Sequence, residues 1–185
     1  GADLPAEALP LYEEAIRTAP EPAAAGWAEI GAVEALVMLE RVEQATGRLA
    51  RLQMHDDPEV ALQARLRSAA LHAESENWDA ALLLLDSGPG PDLGPGWDAS
   101  FVELAAAAHT GGGDLGAARA AWEGLADRWP DSEEALLPAW LGLADVARAE
   151  GELDVARNWA GRALEQAEDP GYRQRAEDLV DQLGG

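Results

Sequence analysis

The sequence predicts an all-α fold, a stack of antiparallel helix hairpins, on three observations. Ala, Leu, Glu and Arg, all good helix formers, dominate the composition. The aromatic and β-branched residues that strands favour are sparse, with one Phe (Phe101) and two Tyr (Tyr12, Tyr172) in 185 residues. The 11 prolines and 19 glycines fall between apolar periodic stretches and act as punctuation. A landmark alanine, preceded by a turn-like residue or acidic pair and followed by apolar positions spaced for one helix face, recurs at Ala8, Ala45, Ala81, Ala118 and Ala156. Its spacings are 37, 36, 37 and 38 residues.

Taken in order, residues 3–20 read as the second helix of a hairpin without its first, kinked or restarted at Pro10, which removes an internal hydrogen bond. Residues 23–57 read as a full hairpin, closed by Asp57-Pro58, a cap followed by a proline helix start. A second hairpin spans 59–87, a third 98–130 and a fourth 132–168. In the fourth, Pro138 marks either a kink or the true helix start, with Ser132 to Leu137 as an added turn. The Gly/Pro-rich stretch at 88–97 between the second and third reads as a stiff inter-repeat loop and a candidate hinge. Asp169-Pro170 opens a capping helix at 170–183, apolar at Tyr172, Ala176, Leu179, Val180 and Leu183 along one face. The whole chain, 1–185, reads as a single repeat domain, because each hairpin alone has a face that only stacking can bury.

The turns inside these hairpins carry the expected chemistry. In Gly113-Asp114 and Gly151-Glu152 a glycine ends one helix in the left-handed conformation, and an acidic residue starts the next near its positive end. Glu76-Asn77 uses Asn where a turn or cap is needed. The alanine that follows lets two helix backbones approach closely.

These residues carry a family resemblance. Trp27-Ala28-Glu29-Ile30-Gly31 and Trp140-Leu141-Gly142-Leu143-Ala144 match the opening of the tetratricopeptide pattern. Ala8, Tyr12, Ala15 and Pro20, like Ala118, Trp122, Leu125 and Pro130, match its second half. The tyrosine slot holds Glu34, His72, His109 and Ala147. The chain thus resembles a diverged tetratricopeptide repeat protein over nearly its whole length. That resemblance implies a right-handed superhelical solenoid of about four hairpins, and a non-catalytic scaffold that binds a partner peptide or helix in a concave groove. The groove side carries over to Ala28, Ala32, Ala35, Gln63, Leu66, Ala70, Glu74, Glu103, Ala107, Leu141, Asp145 and Arg148. The Lys, Arg and Asn clamp of chaperone-binding relatives is missing from the comparable positions.

Charge narrows the partner. Thirty-five acidic residues against 13 arginines and no lysine give a formal charge of −22. Such a surface repels phosphate backbones and anionic lipid, so a neutral to basic protein segment is expected and nucleic acid is not. The Ala, Gly and Arg bias with no lysine suggests a bacterial source, with cytoplasm and periplasm both open. The absence of cysteine excludes disulfides and zinc–thiolate sites. No apolar run is long enough for a transmembrane helix, and no charged-then-apolar leader opens the chain.

Other candidates reduce to structure. The Gly-Pro run holds three prolines that remove donors and has no nearby cation, unlike a phosphate loop. His55-Asp56-Asp57 reads as a helix cap rather than a metal site, and His72 and His109 as half-buried packing residues. No Ser or Thr sits beside a His at useful spacing, so no catalytic residue, metal or cofactor is expected. Trp27, Trp122, Trp140 and Trp159 read as interhelical packing, and Trp97 and Trp129 as exposed aromatic anchors for a partner. The alternative to a scaffold is a spacer or self-association segment of a longer solenoid. In that reading the face bearing Leu4, Leu9, Leu11 and Ile16 is partly bare and supports a weak homodimer.

Overall fold

A computed structural model of the chain describes residues 4–86, 88 and 93–184. Among these residues every regular element is a helix: α1 (Leu4–Thr18), α2 (Pro22–Met38), α3 (Val42–Leu52), α4 (Pro58–Glu74), α5 (Trp78–Leu85), α6 (Pro95–Gly111), α7 (Leu115–Arg128), α8 (Glu133–Ala149), α9 (Leu153–Gln166) and α10 (Pro170–Gly184). The all-helical architecture is compatible with an α-solenoid. The chain divides into two compact units, Gly1–Leu71 and His72–Gly185, the division falling inside α4.

Four tight turns repeat one backbone solution. The N–H groups of Arg41, Asn77, Asp114 and Glu152 return to the carbonyls of Leu36, His72, His109 and Ala147, in each case five residues back. This is the Schellman closure, which satisfies carbonyls that a helix end leaves orphaned. It requires a left-handed residue just before the returning N–H, and residues 40, 76, 113 and 151 all have positive φ, between 57° and 84°. Glycine fills that place in the last two turns, as the sequence led one to expect. Glutamate fills it in the first two, at a steric cost. Five positions beyond each lies a landmark alanine, and Ala45, Ala81, Ala118 and Ala156 are all 0% exposed. Only there, with no side chain beyond Cβ, can the two helices of a pair close up.

The turns also set the register, and they correct one alignment. The turn at residue 151 lies 111 positions beyond that at residue 40, so Trp140 corresponds to Glu29 and not to Trp27. Likewise Leu36, not Glu34, shares a slot with His72, His109 and Ala147. Trp27 is accordingly exposed, while Trp122 and Trp140 are buried and Trp159 half-buried. Gly31 and Gly142 do correspond, and they do one job. Each receives an aromatic ring from the preceding helix, Tyr12 on Gly31 and Trp122 on Gly142; a Cβ on Gly142 would stand 2.1 Å from the indole.

In the first unit, α1 packs on α2 and α2 on α3. Ile30, Val33, Leu36, Ala45, Leu49, Leu52, Val60 and Ala64 make one core there. In the second unit, α8 is buried on two sides. Ala139, Leu143 and Val146 face α6 and α7, while Trp140, Leu141 and Ala144 face α9 and α10.

Several boundaries differ from expectation. α1 runs unbroken through Pro10, and α8 begins at Glu133 and runs through a buried Pro138. Both prolines fall within the first two turns of their helices, where little of the hydrogen-bond ladder precedes them. α6 starts at Pro95, so Trp97 is already helical. The hinge reading of the Gly/Pro stretch falls largely on Pro89 to Asp92, outside the described residues. Asp57 caps α4 as expected: its Oδ1 accepts from the N–H groups of Glu59 and Val60 at 3.0 and 3.1 Å, and His55 Nδ1 accepts from Asp57 N–H at 3.0 Å.

Two stability tests follow. Glu76→Gly is expected to raise the unfolding free energy by about 1 kcal/mol and Gly113→Ala to lower it by about as much. Urea denaturation followed by circular dichroism checks both, and three equal midpoints would refute the strain argument. Gly142→Ala should destabilise by about 2 kcal/mol because the buried indole of Trp122 has no room to retreat. Pairing it with Trp122→Leu should restore most of the loss in a thermal melt.

Candidate binding cleft

In the second unit, α6, α8 and α10 line a cleft of about 450 Å³. Small residues create it: Ala106, Ala107 and Gly111 on α6 and Gly142 on α8 leave the wall low, with Trp122 at the floor. Its rim is charged. Arg148 donates from Nη2 to Asp145 Oδ1 at 3.1 Å, Arg175 Nη2 lies 3.4 Å from Asp145 Oδ2, and Arg175 Nη1 lies 3.7 Å from Glu103 Oε1. The alternate helices α6, α8 and α10 thus each give one member of the chain Glu103–Arg175–Asp145. All are substantially exposed, so each pair contributes between nothing and about 1 kcal/mol to stability. Pairs that weak exchange readily for a partner's charges. Near this rim, burial pushes the Tyr172 phenol above its ordinary pKa, and the Glu103 carboxylate adds to the shift.

Of the groove residues expected from the sequence, the cleft therefore brings together Glu103, Ala107, Asp145 and Arg148. It adds Arg175, which sequence reasoning missed because α10 read only as a cap. Leu66 and Leu141 are corrections: at 8% and 0% exposure they are core, as are Ala32 and Ala35. The physical reason, for α2 and α8, is that these helices pack on two sides, which leaves a narrower solvent stripe than a one-sided amphipathic helix has. Gln63 is half-buried and belongs to the first unit. Glu74 is exposed at the end of α4 and does not line the cleft.

The aromatic anchors are corrected too. Trp97 is half-buried in the first turn of α6. Trp129 is half-buried against the core that includes Ala99 and Leu125, and its indole Nε1–H donates to Asp98 Oδ2 at 2.8 Å. The same oxygen accepts from Arg128 Nε at 3.0 Å. Asp98 is only 3% exposed, the most deeply buried charge among the described residues, and it fastens the start of α6 to the end of α7. Nothing local in the sequence marks it, because its partners lie 30 and 31 positions away. His72 and His109 are half-buried, and among the described residues no group of three His, Asp or Glu is placed to hold a metal. No helix among them is long and apolar enough to cross a membrane.

Asp98→Ala is expected to destabilise the protein by about 2 kcal/mol, less than a fully buried pair because Arg128 stays hydrated. Trp129→Phe, which removes the donor and also shrinks the half-buried ring, should lose about 1–2 kcal/mol. Denaturation of the single and double variants checks the coupling, and strict additivity would show that the two side chains act independently.

No family model and no curated protein sequence matches the chain.

Proposed function

We propose that this protein is a non-catalytic protein–protein interaction scaffold, a diverged tetratricopeptide-like solenoid whose cleft takes a neutral to basic peptide or helix. The right-handed superhelix of about four hairpins belongs to this proposal, and the four equivalent turns at regular spacing support it. The observation that carries the function is the cleft itself. A floor of alanine, glycine and one indole admits the backbone or apolar edge of an incoming segment, and the carboxylates of Glu103 and Asp145 can exchange their weak pairs with Arg175 and Arg148 for a partner's cations. The formal charge of −22 adds long-range attraction for such a partner and repels nucleic acid.

Charge reversal tests this reading. With a partner captured from lysate of the source organism and titrated calorimetrically, Glu103→Arg and Asp145→Arg should each weaken binding by about tenfold or more. Reversal of the exposed Glu165 on α9 should leave it unchanged. Equal affinity for all three variants would refute the cleft as the binding surface.

A further inference from the structure

Four charged groups stand around the cleft, and they balance: Glu103 and Asp145 against Arg148 and Arg175. The two arginines are held differently. Arg148 stands one turn beyond Asp145 on the same helix and donates to its Oδ1 at 3.1 Å, so it fixes that carboxylate in place. Arg175 comes from α10 and crosses the cleft. Its Nη2 reaches Asp145 Oδ2 on α8 at 3.4 Å, and its Nη1 reaches Glu103 Oε1 on α6 at 3.7 Å. Both distances exceed the roughly 2.7–2.9 Å of a strong charge-assisted bond. The side chain is also 46% exposed, so its grip is loose. Two terminal nitrogens of one guanidinium thus address carboxylates on two helices, and the single ammonium of a lysine has no such fork.

α10 does not depend on that bridge. Ala176, Leu179 and Leu183 bury its other side in the core built with α8 and α9. At its start Asp169 Oδ1 accepts from the N–H groups of Gly171 and Tyr172 at 2.8 and 3.1 Å, and the preceding N–H of Glu168 donates to the Glu133 carboxylate at 3.0 Å. At its end the Leu183 carbonyl accepts from Arg157 Nε at 2.8 Å. With the helix fastened along one side and at both ends, the Arg175 side chain can swing into solvent without undocking it. The rim then keeps two carboxylates and one guanidinium, a net charge of −1 above a floor of alanine, glycine and indole. That is room for one cation.

We propose that Glu103 and Asp145 form a seat for one guanidinium, and that Arg175 is an autoinhibitory latch that occupies it until an arginine of the partner displaces it. This rests on the reading of the cleft as the binding surface, and adds which partner side chain enters and what it must expel.

The probe is the synthetic pentapeptide acetyl-Leu-Ala-Arg-Ala-Leu-amide, with analogues carrying lysine or citrulline at the centre, titrated into the isotope-labelled full chain. Saturable NMR shifts of the Trp122 indole N–H and the Asp145 amide report occupancy. Arg175→Ala and Arg175→Gln should each tighten the arginine peptide by about three- to tenfold, the scale of two exposed ion pairs. The lysine and citrulline analogues should bind more weakly, and adding Glu103→Arg to Arg175→Ala should abolish the gain. Because Arg175 is exposed, both variants should keep the parent circular dichroism. Equal or weaker peptide binding in the two Arg175 variants overturns the latch. So does the absence of saturable shifts up to about 10 mM peptide, and lysine or citrulline binding as tightly as arginine overturns the guanidinium seat. The cleft reading falls separately: a captured partner untouched by Glu103→Arg and Asp145→Arg refutes it even where Arg175→Ala tightens the peptide. A partner weakened by both reversals upholds it even where the latch falls.

Discussion

The structure depends on how closely two antiparallel helices can approach just after a tight turn. A hairpin of two short helices buries too little apolar surface to be stable alone, so its own interface must be dense and its outer faces must find neighbours. Both needs meet at the turn. The N–H returning five residues back fixes the exit direction of the second helix, and the alanine five positions on lets the helices touch backbone to backbone. Where the register repeats, the next helix finds the same shelf. The glycines at 31 and 142 complete it, giving each stacked aromatic ring a flat place to lie.

Charge is layered over this packing and does not replace it. With 13 arginines among 35 carboxylates, cations are scarce, and several are used between helices rather than within one. Arg48 pairs with Glu13, Arg51 with Glu29, Arg67 with Glu34, and Arg119 with both Glu150 and Glu152. Such partly exposed pairs are individually modest, so they orient side chains and tune the surface potential more than they hold the stack together. Asp98 is the exception, a buried carboxylate whose Oδ2 accepts from both Trp129 and Arg128 while its buried Oδ1 has no hydrogen-bond partner among the described residues. Arg162 makes a different use of charge, lying over the rings of Trp140 at 4.4 Å and Trp159 at 5.6 Å.

The last helix and the first treat their outer faces differently. Aligned on the caps Ser132 and Asp169, α10 has Gln174, Glu177, Asp178 and Asp181 where α8 has Leu137, Trp140, Leu141 and Ala144. Those side chains are exposed, and Gln174 donates to Asp178 at 2.9 Å. In α1, by contrast, Leu4, Leu11 and Ala15 are exposed.

The sequence by itself determined the fold class, the period and the turn positions, because each rests on local chemistry. Helix propensity, glycine at a left-handed turn, as at 113 and 151, and a small residue at fixed spacing are all legible without knowing the neighbours. The caps at Asp57 and Asp114 were legible for the same reason. Only tertiary structure decided which face of each helix is surface. Leu141 reads as a groove residue until packing on two sides encloses it, Leu66 is buried likewise, and Trp129 reads as an exposed anchor until Asp98 reaches it from 31 positions away. The first register slipped by two because Trp27 imitates a packing residue, and only the returning hydrogen bond from Arg41 to Leu36 could place it. Period is a property of a segment. Burial is a property of what lies against it.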